Sequence, residues 1–139
     1  MQPDIVKLLL DAGANPNQKY VMGCPLIWAM RYQQPKIVNL LLIAGADSNI
    51  KYHRKTALTY AIGKKQPEIA KLLIDHGADI NGIEGKKSPL SYAIKKKQAQ
   101  IVEYLVNAGV NIDEKSIKYA QKTKDEYIKS LILSKSKQN

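Results

Sequence analysis

The sequence predicts an all-α solenoid of paired antiparallel helices joined by short hairpin loops. A long phrase recurs at a fixed period, a shorter phrase recurs in step with it, and turn-forming residues separate them. The long phrase reads IVKLLLDAGANPN from Ile5, IVNLLLIAGADSN from Ile37, IAKLLIDHGADIN from Ile69 and IVEYLVNAGVNID from Ile101, each copy 32 residues after the last. A period of this length marks one supersecondary unit stacked on copies of itself. Such a unit cannot bury its apolar face alone, so neighbouring copies supply the core. That points to a binding surface more than to a catalytic pocket.

Each long phrase has helical spacing. In the second copy Ile37, Leu40, Leu41 and Ala44 fall at i, i+3, i+4 and i+7, one buried face. Pro3, Pro35 and Pro67 precede that face, where a first helical turn tolerates a missing N–H. Gly13, Gly45, Gly77 and Gly109 close the helices from the left-handed region. Asn15 and Asn17, Asp47 and Asn49, and Asp79 and Asn81 follow, all suited to tight turns. The shorter phrase reads CPLIWAM from Cys24, TALTYAI from Thr56 and SPLSYAI from Ser88. Thr56 and Ser88 are placed to cap these helices, with Pro25 and Pro89 at the first helical position. The polar segments 18–23, 50–55 and 82–87 are then extended, hairpin-like loops.

A short helix, a tight turn, a longer helix ending in Gly-Ala-Asp and a hairpin loop together resemble the ankyrin repeat family. The carriers are Pro25-Leu26, Pro89-Leu90, Thr56-Ala57-Leu58, Gly45-Ala46-Asp47 and Gly77-Ala78-Asp79, and the match runs over roughly residues 2–134. The resemblance implies an ankyrin-repeat solenoid. Three departures stand out. The period is 32 where the family has about 33, so the loops are one residue shorter. The family's threonine-proline-leucine-histidine motif loses its histidine to Ile27, Thr59 and Ser91, so its hydrogen bonds between repeats are expected to be lost or weakened. The glycine after the short helix is replaced by Gln33, Lys65 and Lys97, each costing about 1 kcal/mol or more if left-handed.

The expected organisation is one domain over 1–139. Residues 2–17 form an incomplete first repeat, 18–49, 50–81 and 82–113 full repeats, 114–134 a C-terminal cap and 135–139 a loose tail. The first long helix lacks a preceding short one, leaving Ile5, Leu8 and Leu9 without their usual cover. Self-association through that face, or a chain that is a fragment of a longer array, would explain it. Ile117, Tyr119 and Ala120 match Leu90, Tyr92 and Ala93 with a shortened loop between, and lysines decorate the cap.

The bulk composition excludes several classes. A hydrophobic share of 45% argues against global disorder. The one cysteine, Cys24, excludes an internal disulfide and favours an intracellular, cytoplasmic address. Apolar runs fall far short of the ~20 residues that span a bilayer, and Asp4 and Lys7 interrupt any leader-like start. The net charge is +10, with 20 lysines against two arginines, which favours acidic partners.

That charge is segregated. Loop-plus-short-helix segments 18–34, 50–66 and 82–98 sum to +11, the long-helix segments from residue 2 to 113 to −5, and residues 114–139 to +4. In the family resembled, loops and short helices line the concave face that binds partners. Its variable positions map here onto Tyr20, Val21, Gly23, Arg31, Tyr32, Tyr52, His53, Lys55, Gly63, Lys64, Glu84, Gly85, Lys87, Lys95 and Lys96. The expected partner-binding residues are Tyr20, Arg31, Tyr32, Tyr52, His53, Lys55, Lys64, Lys87, Lys95 and Lys96. Tyrosine gives large contact area at low entropic cost. The competing explanation is compositional: lysine, isoleucine, asparagine and tyrosine are abundant and phenylalanine is absent.

No catalytic or cofactor constellation emerges. Cys24 and His53 lie one unit apart, but Cys24 takes the capping threonine's place and no third group orients the pair. His76 sits before a closing glycine, where a protonated ring favours the helix C-terminus. One cysteine and two distant histidines fall short of a zinc ligand set, and no phosphate-cradling glycine loop occurs. Trp28, Tyr60, Tyr92 and Tyr119 repeat in register and are expected to stack as a core ladder. The resulting expectation is a non-catalytic protein–protein interaction module gripping an acidic or partly acidic segment. The alternatives are a non-specific electrostatic binder of nucleic acid or anionic lipid, or an accessory array of a larger, host-directed effector protein acting in the host cytosol.

Overall fold

The computed structural model describes residues 2–137. The helices are α1 (Pro3–Asp11), α2 (Pro25–Arg31), α3 (Pro35–Ile43), α4 (Ala57–Gly63), α5 (Pro67–Asp75), α6 (Pro89–Lys95), α7 (Ala99–Asn107), α8 (Glu114–Lys122) and α9 (Glu126–Ser136). Strands β1 (Lys51–Tyr52) and β2 (Lys55–Thr56) pair antiparallel, with Lys51 opposite Thr56 and Tyr52 opposite Lys55. Isolated bridges Tyr20–Gly23 and Glu84–Lys87 repeat that hairpin in the neighbouring loops.

Local sequence explains the helix ends. Proline occupies the first turn of α1, α2, α3, α5 and α6. The Thr56 hydroxyl accepts from the Thr59 N–H at 3.2 Å. Ser88 accepts from the Ser91 N–H, and Ser91 Oγ accepts from the Ser88 N–H, both at 3.1 Å, a reciprocal capping box. Cys24 holds the same place before α2 and supplies no side-chain cap. After the short helices Gln33, Lys65 and Lys97 do take φ values of 52°, 55° and 57°. The turn is therefore kept and its strain accepted, because the N–H groups of Gln34, Gln66 and Gln98 still close onto Ala29, Ala61 and Ala93.

The long helices α1, α3, α5, α7 and finally α9 stack in one layer, and α4, α6 and α8 in the other. Between the layers one apolar core runs from Cys24 to Ile132. In α3 the buried residues are Ile37, Val38, Leu41 and Leu42; of the expected face Leu40 is half-buried and Ala44, at the C-cap, exposed, so the inward stripe is turned toward Val38 and Leu42. Ile69, Ala70 and Leu73 of α5 and Ile101, Val102 and Leu105 of α7 are buried likewise, whereas Ile5, Leu8 and Leu9 of α1 stand 52%, 69% and 57% exposed. At the other end α9 includes Lys135 and Ser136, so the expected tail begins later. Ile132 anchors the last turns in the core, and Ser136 Oγ donates back to the Leu133 carbonyl at 3.0 Å. Gln138 and Asn139, also assigned to that tail, lie outside the described residues.

Polar ladders tie successive units together. Asn17 Oδ1 accepts from the Asp47 N–H at 2.7 Å, Asn49 Oδ1 from Asp79 at 2.7 Å, and Asn81 Oδ1 from Asn111 at 2.8 Å. Deeper in the stack, Gln66 Nε2 donates to the Met30 carbonyl at 2.9 Å, and Gln98 Nε2 donates to Ile62 in the same way. The expected loss of bonds at the missing histidines holds at Ile27, which has no polar side-chain group, and at Ser91, whose hydroxyl bonds only to Ser88 of its own unit; it is corrected at Thr59. Glu84, from the following unit, accepts from the Thr56 N–H and from Thr59 Oγ1, the latter at 2.8 Å. At the capping position, Ser88 Oγ donates to Asp113, the N-cap of α8, at 3.2 Å. A short hydroxyl cannot reach across repeats as an imidazole does, so a carboxylate from the neighbour reaches back instead.

Candidate functional site

Two clefts open side by side along the hairpins and the starts of the short helices. One, of about 520 Å³, lies between the second and third hairpins. Lys51, Arg54, Lys55, Lys86 and Lys87 line it, and Glu84 is its carboxylate. Both oxygens of Glu84 accept hydrogen bonds from Thr56 and Thr59, and no ion pair joins it to these cations among the described residues. The other cleft, of about 410 Å³, lies between the first and second hairpins, where Tyr20, Ile27, Ile50 and Tyr52 give it apolar walls and Lys19, Asp47 and Lys51 its charge. The clefts adjoin through Lys51.

The hairpin tips differ. The first projects Val21, fully exposed, and Met22. The third turns through Gly85 at φ 63°, as a glycine readily does. The second turns through His53 and Arg54, at φ 48° and 64°. This primed-type turn favours Asn-Gly, and side chains such as these are strained in it. His53 packs edge-on to Tyr52, with ring centroids 4.1 Å apart.

The expected site residues divide among these features. His53, Lys55 and Lys87 meet at the larger cleft, Tyr20 and Tyr52 at the smaller. Arg31 lies over the Trp28 ring at 4.9 Å and donates to Tyr52 Oη at 3.4 Å, and Tyr32 stacks on Trp28 at 5.9 Å. Lys64 sits over Tyr60 at 5.9 Å; Lys87 and Lys96 flank Tyr92 at 5.2 and 5.7 Å. Lys95 is exposed in the last turn of α6 and lines neither cleft.

Four lining cations, Lys19, Lys51, Arg54 and Lys86, escaped the sequence reading. Their signal was present: all lie within the loop segments, but the family's variable positions passed over them. The aromatic series also needs correction. Trp28, Tyr60, Tyr92 and Tyr119 are half-buried, and none stacks on the next among the described residues. Cations take the exposed faces of the first three instead. Tyr92 crosses toward α4 because residue 63 is glycine. A Cβ there would lie 2.9 Å from the Tyr92 hydroxyl.

Cys24 and His53 do not share a cleft among the described residues: Cys24 is buried and lines the smaller one, His53 the larger. No cluster of metal-binding side chains forms among the described residues, and none of their helices is long and apolar enough to cross a membrane.

Stacked helix pairs joined by hairpins define a repeat solenoid. A family model for ankyrin repeats in three copies matches residues 26–116, and the chain belongs to the ankyrin repeat family. Ankyrin repeats are generally protein–protein interaction modules, and proteins built from them are typically non-catalytic scaffolds. Comparison with curated proteins returns no match.

Proposed function

We propose that this chain is a non-catalytic interaction module that takes an acidic or partly acidic protein segment along its hairpins and short helices. The carrying observation is the unneutralised charge of the larger cleft: five cations and one carboxylate already engaged by two hydrogen bonds. Lysines placed this way speed the approach of an acidic partner, and exposed Tyr20 and Tyr32 add contact area. Affinity capture with mass spectrometry tests the reading, comparing wild type with the Lys55→Glu, Lys64→Glu, Lys96→Glu variant. Acidic partners should drop out with the variant; retention of every partner overturns the assignment.

The same cations favour a second reading, an electrostatic grip on nucleic acid or anionic lipid. Arg31 is engaged with Trp28 and Tyr52, which leaves Arg54 as the free guanidinium for reading bases, so such binding would be unspecific. Its affinity should fall steeply with salt. A peptide held partly by tyrosines keeps more of its affinity, and a salt titration separates the two.

A further inference from the structure

We infer that the two clefts form one bipartite peptide site, the larger taking a phosphorylated side chain and the smaller an apolar side chain about three residues away. This rests on the proposed acidic-segment reading and sharpens it.

The larger cleft calls for more than a scattered carboxylate. Lys51, Arg54, Lys55, Lys86 and Lys87 converge on about 520 Å³, and like charges held together repel unless an anion neutralises them. Glu84 offsets one of these five charges at most, and its oxygens are turned to Thr56 and Thr59. A phosphoryl group carries up to two negative charges and three strong acceptor oxygens, which suits several ammonium groups and a guanidinium at once. The strained tip is a separate observation. Of the three hairpins, only the second places two side-chain-bearing residues in the left-handed region, and both line this cleft. Strain of this kind collects at functional sites.

The adjoining cleft specifies the rest of the ligand. Its apolar walls are Tyr20, Ile27, Ile50 and Tyr52, set among Lys19, Asp47, Asn49 and Lys51, and the apolar tip Val21–Met22 stands exposed in the same hairpin as Tyr20. A nucleic-acid backbone offers no apolar group to match, whereas a peptide does. Stacked helices lie about 8–10 Å apart, and an extended chain advances about 3.3 Å per residue. Points in neighbouring clefts are therefore roughly three residues apart.

The test uses the full chain and degenerate peptide libraries differing only at the centre: phosphoserine or phosphotyrosine, glutamate, or the unmodified residue. At physiological salt the phosphorylated libraries should bind at least about tenfold more tightly than glutamate. Selected peptides should carry an apolar residue three positions from the phosphate. Lys55→Glu with Lys87→Glu should abolish the preference. The double variant His53→Asn, Arg54→Gly gives the hairpin its favoured turn, so it should melt higher than wild type yet lose most phosphopeptide affinity. Loss of binding in a more stable protein cannot come from unfolding. Equal binding of glutamate and phosphorylated libraries would overturn the phosphate site while leaving the acidic-segment reading intact. Absence of binding to every library, with captured partners insensitive to the Lys55→Glu, Lys64→Glu, Lys96→Glu changes, would remove both. Competition at equal potency by single-stranded oligonucleotide or phosphatidylserine vesicles would overturn the peptide site in favour of a general polyanion surface.

Discussion

Helices α1 and α5 carry nearly the same residues, PDIVKLLLD and PEIAKLLID, and live in different surroundings. Both start on proline, and both close an exposed lysine–aspartate pair on the outer face, Lys7–Asp11 at 2.7 Å and Lys71–Asp75 at 2.9 Å. Yet Ile69 and Leu73 are 2% and 0% exposed, while Ile5 and Leu9 are more than half exposed. The difference lies in the neighbour: α5 has α4 packed across its apolar face, and no helix precedes α1 among the described residues. An amphipathic pattern therefore states a demand for burial, and only the adjacent unit meets it.

The comparison can be broken or sharpened by substitution, with stability read from urea midpoints. Leu73→Ala should cost about 2–5 kcal/mol, the range for a well-packed core leucine. Leu9→Ala, the same residue in the same phrase, should cost about 0.5 kcal/mol or less; equal losses would mean α1 is covered in solution. Next, Gln66→Ala should cost about 1 kcal/mol, because the Met30 carbonyl loses one of its two donors and keeps the Gln33 N–H at 3.1 Å. Gln34→Ala should cost less, since its side chain makes no such bond among the described residues. Thr56→Ala should cost about 1 kcal/mol through the lost cap of α4. Smallest of all, Lys65→Gly should raise stability by about 0.5 kcal/mol, as relief of the left-handed strain slightly exceeds the added backbone entropy.

Much of the architecture was legible because it repeats. The spacing of Ile37, Leu40 and Leu41, the prolines before each long helix and the capping Thr56 and Ser88 each mark a local feature, and four copies fix their register. What stayed hidden depends on two residues meeting across units. Nothing local marks Glu84 as the partner of Thr56 and Thr59, and its assignment to a variable surface position missed that role. Asn17 and Asn49 were legible as turn formers. Their bonds to the next turn depend on the stacking distance, which no single copy contains. The aromatic series misled for the same reason: equal spacing along the chain does not place rings face to face when each helix turns its ring toward a nearby cation. At the candidate site, half of the expected residues line the two clefts. The rest sit on helix faces beyond them, because family positions transfer more faithfully than the side chains that occupy them.

The asparagine ladder carries a consequence for how such a chain changes length. Each link joins an asparagine to the backbone 30 residues on, in the turn of the next module, so both halves of every link recur in each copy. Duplicating or deleting a whole 32-residue block leaves no link dangling in the interior. An array longer or shorter by whole blocks therefore keeps the same ladder throughout its interior.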